Sequence, residues 1–187
     1  MTEQQDVIAV LVTDHREVEE MFTQLEHMVG RIDEKAKTLS EQVVIELVRH
    51  SVAEEAYLYP AVREHVPGGD ALADEEIAEH AEAEETMKRL EGLESSDAEF
   101  WPTLEQLMGQ IRHHLRDEEN DLFPRLRQAC SEAELLELGG KVTRAKKMAP
   151  TRPHPAAPDT PPANKLLAPG TGLVDRVRDA LTGRGRS

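Results

Sequence analysis

The stretch His50-Ser51-Val52-Ala53-Glu54-Glu55-Ala56-Tyr57-Leu58-Tyr59-Pro60 decides how this chain is read. It returns as His114-Leu115-Arg116-Asp117-Glu118-Glu119-Asn120-Asp121-Leu122-Phe123-Pro124. Both copies read His-x-x-x-Glu-Glu-x-x-Leu-aromatic-Pro. Residues four apart on a helix lie one above the other on the same face. Each copy therefore aims one imidazole and one carboxylate at a single point. Two such pairs facing each other make a metal site.

Outward from these copies the chain divides into helices. Ile8, Leu11, His15, Val18, Phe22, Leu25 and Val29 recur in steps of three and four, predicting a helix over about 4–30 that Gly30 ends. The second helix is expected from an N-cap at Ser40 to about His65, with seam Val43, Leu47, His50, Glu54, Tyr57 and Ala61. Pro60 deletes a backbone donor and is expected to kink it. A third helix, about 70–93, carries Ile77, His80, Glu84 and Met87 on its seam. After the turn at Ser95-Ser96-Asp97, a fourth, about 98–129, carries Leu104, Leu107, Ile111, His114 and Glu118.

His15 precedes His50, and His80 precedes His114, by nearly the same interval. The pattern is two helix hairpins, each with a single-His helix followed by a His-x-x-x-Glu-Glu helix. Two such hairpins close into an all-α, up-down-up-down four-helix bundle over residues 1–130. Ser131-Glu132-Ala133-Glu134 predicts a capped, short additional helix over 131–148. Residues 149–170 are rich in Pro, Ala and Thr and read as an extended, disordered linker. The basic tail, 171–187, holds a short amphipathic pattern at 172–182 that is marginal as a helix unless docked.

Composition narrows the function classes. Apolar residues make up 39% of the 187-residue chain, enough for one domain core. No apolar run is long enough to cross a bilayer, and the N-terminus lacks a leader pattern, so a cytoplasmic protein without a membrane partner is expected. The lone Cys130 allows no disulfide within the chain and reads as a structural thiol. Net charge is −15, but residues 139–187 hold ten Lys or Arg against three acids, which leaves −22 for residues 1–138. An acidic body lacks the clustered cations that a phosphate backbone needs, so no nucleic-acid partner is expected. The sparse basic tail reads first as an aid to solubility, with a protein partner as the alternative.

Every helix places a histidine on its core seam: His15, His50, His80 and His114. One seam histidine alone is a satisfied core residue more often than a ligand. Four at matched heights, beside buried Glu54, Glu84 and Glu118, need a cation, because an unpaired buried charge costs several kcal/mol or is neutralised. None of these seam positions carries Lys or Arg. Imidazole with carboxylate suits iron, manganese or zinc. Seven donors exceed what one ion takes, whereas two ions bridged by Glu54 and Glu118 use them. Glu55 and Glu119 read equally well as acceptors for the far nitrogen of a ligand imidazole or as a solvated face. Tyr57 reads as a packing residue, with a donor into the site as the alternative. His113 reads as surface, or as a partner just outside the site.

The two motif copies and the isolated His15 and His80 resemble the hemerythrin-like family, the HHE cation-binding domains, over roughly residues 5–130. The resemblance implies a non-haem centre of two iron ions, bridged by two carboxylates and an oxo or hydroxo group. It also implies dioxygen binding, oxygen or iron sensing, iron handling, or reaction with peroxide and nitric oxide. His15, His50, Glu54, His80, His114 and Glu118 match the recurrent ligands. The invertebrate oxygen carriers of the family have a histidine where this chain has Glu84, and place the last carboxylate five residues after its histidine rather than four. More carboxylate favours higher oxidation states of iron. The expectation is therefore reaction with dioxygen or hydrogen peroxide, catalase-like if catalytic, or else sensing through the C-terminal tail.

Overall fold

Asp6 starts the first helix, its carboxylate accepting the Ala9 N–H at 2.8 Å. In the computed structural model, residues 5–157 are described, together with 164, 171, 172, 174, 175, 178, 179, 182 and 184. Helix α1, Val7–Glu26, buries Val7, Ile8, Leu11, His15, Val18, Phe22 and Leu25, the stripe expected of it. It stops before Val29, which is 59% exposed rather than on the seam. Gly30, at φ +78°, turns the chain where a side chain would be strained.

Helix α2, Glu34–Ala53, begins earlier than expected because Asp33 caps it, accepting the Lys35 N–H at 2.9 Å. Ser40 lies inside the helix and donates to the Lys37 carbonyl at 2.7 Å. A single π-turn, Glu54–Leu58, then leads into α3, Tyr59–His65. Helix α4 spans Gly69–Glu91. Helix α5, Phe100–Asp117, again meets a π-turn, Glu118–Leu122, before α6, Phe123–Ala129.

The expected kink at Pro60 takes the form of this π-turn, and Pro124 repeats it. The Tyr59 N–H bonds to the Glu54 carbonyl, and the Phe123 N–H to the Glu118 carbonyl, each five residues back. In an α-helix a residue five positions on sits about 140° round the axis. The wider π-turn brings it back above its partner. The aromatic before each proline therefore joins the face of the preceding glutamate, and Tyr59 is 1% exposed. Tyr57 packs, partly buried, against the core.

The four long segments form the up-down-up-down bundle, and its core has two apolar layers. One gathers Phe22, Leu25, Val44, Leu47, Leu90, Leu104 and Leu107. The other gathers Leu11, Leu58, Tyr59, Val62, Leu122, Phe123 and Leu126. A polar layer of histidines and glutamates lies between them. Burying this much apolar side chain is what holds that layer in the core, at roughly 1.5–3 kcal/mol for each large residue.

The additional helix α7, Glu132–Met148, starts with the expected capping box between Ser131 and Glu134. It spans the residues expected of it. Leu135 and Val142 pack into the second layer. At Gly139 a Cβ would collide with the backbone of Gln5 and Asp6, so the close approach of α7 to α1 requires glycine. Of the expected linker, residues 149–157 lie against the bundle, with Ala149, Pro150, Thr151 and Pro153 buried; its remainder lies outside the described residues, apart from Asn164. Residues 171, 172, 174, 175, 178, 179 and 182 are helical, and Asp175 accepts the backbone N–H of Thr151 and of Arg152 at 3.2 Å. Among the described residues no helix is long and apolar enough to cross a membrane.

Candidate metal centre

The polar layer takes one histidine from each of α1, α2, α4 and α5 and one glutamate from each π-turn. His15, His50, His80 and His114 are buried, and Glu54 and Glu118 are 0% exposed. His50 Nε2 lies 3.0 Å from Glu54 Oε1, and His80 Nε2 lies 3.4 Å from Glu54 Oε2. Glu118 Oε2 lies 3.4 Å from His15 Nε2 and 3.8 Å from His114 Nε2. Each carboxylate thus reaches a histidine of both hairpins. The rings meet edge to face in pairs, His15 with His50 at 5.1 Å and His80 with His114 at 4.6 Å between centroids.

The far nitrogen of every ring faces a carboxylate. His15 Nδ1 meets Glu119 Oε1 at 2.9 Å, and His80 Nδ1 meets Glu55 Oε1 at 2.9 Å. His50 Nδ1 meets Asp14 Oδ2 at 3.4 Å, and His114 Nδ1 meets Glu79 Oε2 at 3.1 Å. The pattern is crosswise: the acid after each motif glutamate serves the single histidine of the other hairpin, and the acid before each single histidine serves the motif histidine of its own hairpin. A carboxylate at Nδ1 holds the proton there and leaves the Nε2 lone pair pointing inward.

The inward atoms are unsatisfied. His15 Nε2, His50 Nε2, both oxygens of Glu54 and Glu118 Oε2 are fully buried and, among the described residues, have no partner in hydrogen-bond geometry. His80 Nε2 and His114 Nε2 approach to 3.1 Å, so two lone pairs face each other unless a proton or a cation lies between. Buried donors and acceptors are normally paired, so the inward set fits a cation. Donors within 4.8 Å of one another group as His15, His50, Glu54 and Glu118, as Glu54, His80 and His114, and as Glu76, His114 and Glu118.

Electrostatics follow the same geometry. Burial alone would lower the His50 imidazole, but Glu54 and Asp14 overcome it and push its pKa up to about 10. His114 and His80 are also raised by their carboxylates against the effect of burial. Burial would raise Glu54, yet His50 and His80 hold it well below the usual carboxylate range. The Tyr59 hydroxyl is pushed well above its ordinary value by burial and by Glu54 and Glu118. It stays protonated, donating to Glu118 Oε1 at 3.3 Å, and lies 3.1 Å from His80 Nε2.

Of the seven residues expected at the centre, the structure brings six together and leaves Glu84 out. Its carboxylate turns to the strap of residues 150–157 beyond α7, accepting the His154 N–H at 2.7 Å, and among the described residues belongs to no group of clustered donors. In the α4 register it lies one turn past His80, level with the apolar layer that holds Met87. Four neighbours went unread in the sequence. Asp14 and Glu79 stand immediately before His15 and His80, a repeated acid–His pair that was available as a signal. Glu76 sits 2.8 Å from His114 Nδ1 where the first hairpin has Leu11. Tyr59 was hidden by the π-turn. The matching ring of the second motif, Phe123, stacks on His15 at 5.7 Å. His113 is exposed and pairs with Asp117 at 3.3 Å.

The two hairpins are therefore related in pattern but not identical. Lys146 of α7 reaches Asp14 at 2.5 Å on the His50 side. The His114 side has instead a second acid, Glu76, whose carboxyl is raised by burial.

Comparison with known proteins places the chain among relatives. An uncharacterized hemerythrin-like protein of Schizosaccharomyces pombe is 29% identical over 90% of this chain and 82% of its own length. A DNA nickase of Nostoc sp. is 32% identical over 68% of this chain, a match that spans 34% of that longer protein. The crystal structure of a hemerythrin HHE cation binding domain-containing protein from Mycobacterium kansasii superposes with a TM-score of 0.66 at 21% identity. That alignment covers 76% of this chain and 86% of the other, and shows the shared fold. The family model described as Hemerythrin HHE cation binding domain matches residues 6–126, which span both motif copies and all four histidines. The chain belongs to the hemerythrin HHE cation-binding domain family.

Proposed function

We propose that this chain is a non-haem di-iron protein that meets dioxygen or hydrogen peroxide at the centre between its inner helices. His15 and His50 would hold one ion and His80 and His114 the other, with Glu54 and Glu118 shared between them. The observation that supports two ions is the span of those carboxylates, each of which reaches a histidine of both hairpins. Iron bound there supplies Lewis acidity and a change of redox state. The chain's own groups hold the rest of the arrangement. Glu119, Asp14, Glu55 and Glu79 fix the four rings with Nε2 inward. Tyr59 keeps a proton at the Glu118 edge. Phe123 and the apolar layers on either side keep bulk water out.

If the centre turns over, the reading is catalase-like disproportionation of hydrogen peroxide to water and dioxygen. The test is metal content per chain with an absorption spectrum, followed by oxygen evolution on adding peroxide. We expect about two irons per chain, as in dinuclear carboxylate bundles, and loss of oxygen evolution in His50→Ala. Full activity in that variant, or protein that takes up no ferrous iron under anaerobic conditions, overturns the proposal.

A second reading is an iron or oxygen sensor that acts on a protein partner through its C-terminal segment. It is favoured by the return of that segment to α4, where Glu84 takes the His154 N–H and Arg184 pairs with Glu91. Limited proteolysis of the segment should then change with iron, and a pattern indifferent to iron removes this reading. We carry no nicking activity over from the Nostoc relative, because the acidic body offers no clustered cations for a phosphate backbone.

A further inference from the structure

Glu84, unused by the metal centre, borders a cavity. This cavity, of about 90 Å³, opens between α2, α4 and the strap of residues 150–157, with Asn164 and Thr171 also on its lining. Val48 and Met87 of the core, with Val52 and Ile77, form its apolar walls, and buried Pro150 closes it from the strap side. Exposed Ala81, Pro155 and Ala157 surround its mouth. The strap is held by the bond from His154 N–H to Glu84, and by Asp175, which accepts from His154 Nε2 at 2.9 Å. It lies beyond residues 6–126, the span of the family match.

The inner end of the cavity is the His80 ring with its partner Glu55. The same ring carries Nε2 to within 3.4 Å of Glu54 Oε2. A guest against the inner wall would touch the imidazole whose other edge belongs to the centre. Size and polarity restrict that guest. The volume is well below the roughly 150 Å³ of an apolar cavity that accepts benzene. Glu55 and Glu84 on its lining disfavour anions, and the apolar walls make any ion costly to desolvate. Arg152, the cation among the lining residues, is engaged by Asp179 at 2.6 Å.

We propose that this strap-covered cavity is a binding vestibule for a small uncharged oxidant of two heavy atoms, dioxygen or hydrogen peroxide, on the His80 side of the centre. The assignment rests on the di-iron reading for its chemistry but not for its existence as a site. Xenon probes the site without any metal chemistry, since it settles against apolar walls such as those of Val48, Val52, Ile77 and Met87. Crystals of the full chain under xenon pressure should show the atom between Val48 and Met87; a cavity without xenon overturns the proposal. Ala81→Trp places a ring at the exposed mouth without disturbing the core. In iron-loaded protein it should slow the reaction with hydrogen peroxide, followed by the change in the absorption of the centre, at least tenfold at unchanged iron content. Glu82→Trp, one step round α4, should leave the rate within twofold. An unchanged rate in Ala81→Trp also overturns the proposal. Should the chain take up no iron, the di-iron reading falls, while xenon occupancy still decides whether the cavity is a site.

Discussion

His50 shows how single residues divide the work of the centre. With Glu54 and Asp14 beside it, its pKa lies near 10 instead of 6.5. A raised folded value favours the charged imidazole in the fold. Its contribution to the stability of the metal-free chain is therefore complete below about pH 6.5 and is lost as pH rises through about 10. A metal takes the neutral ring, so uptake releases a proton and affinity rises with pH across that window. We expect a pH indicator to record proton release on ferrous iron uptake, and the unfolding midpoint of chelated protein to fall from pH 7 to 10. Tyr59 offers a second measurement. Phe123 fills the matching place without a hydroxyl, so Tyr59→Phe should fold. It leaves Glu118 Oε1 without the Tyr59 donor, at a cost of about 1–3 kcal/mol in urea unfolding. Tyr59 was illegible in the sequence because periodicity assumes an unbroken α-register, whereas Asp14 and Glu79 were legible as repeated acid–His pairs.

At the scale of elements, the π-turns and α7 are what the hydrophobic pattern did not specify. Helix existence and order followed from seam spacing, since a stripe in steps of three and four buries only as a helix. The π-turns depend on one backbone hydrogen bond choosing the fifth residue over the fourth, which no side-chain pattern encodes directly. Their place, just before Pro60 and Pro124, was visible; their geometry was not. Helix α7 contributes more than a cap on the bundle, because Lys146 holds Asp14, and Asp14 holds His50. Burial would raise the Asp14 carboxyl, but His50 and Lys146 keep it below the usual range. Lys146→Met retains most of the stem and removes the charge. We expect a loss of about 1–3 kcal/mol in thermal unfolding, between the values for exposed and buried pairs. Metal affinity should fall roughly 10-fold, as when the outer partner of a ligand histidine is disturbed. Lys146→Arg should restore both.

For the whole molecule, a charged layer sits between two apolar layers, and its cohesion is linked to a cation. Glu54 and Glu118 at zero exposure would destabilise the bundle if left unpaired. A ligand that binds only the folded state stabilises it by about 4 kcal/mol at a thousandfold excess over its dissociation constant. For a chain of this size that is on the order of 8–16 °C in melting temperature. Chelation should lower the melting temperature by that amount, and returning ferrous iron should restore it. An equal melting temperature with and without iron would mean that the histidine–glutamate pairs satisfy themselves. Independently of metal, Leu107→Ala in the opposite apolar layer should cost about 2–5 kcal/mol in chemical unfolding.

The sequence by itself determined the bundle, the order of its helices and six residues at the centre, because helical periodicity and the repeated motif place those side chains at one height on inward faces. Only tertiary structure decided that Glu84 leaves the centre for the strap. It alone brought Tyr59 to Glu118, and set Lys146 behind His50. Each of these depends on where a different segment of the chain packs, and periodicity within one helix carries no information about that neighbour.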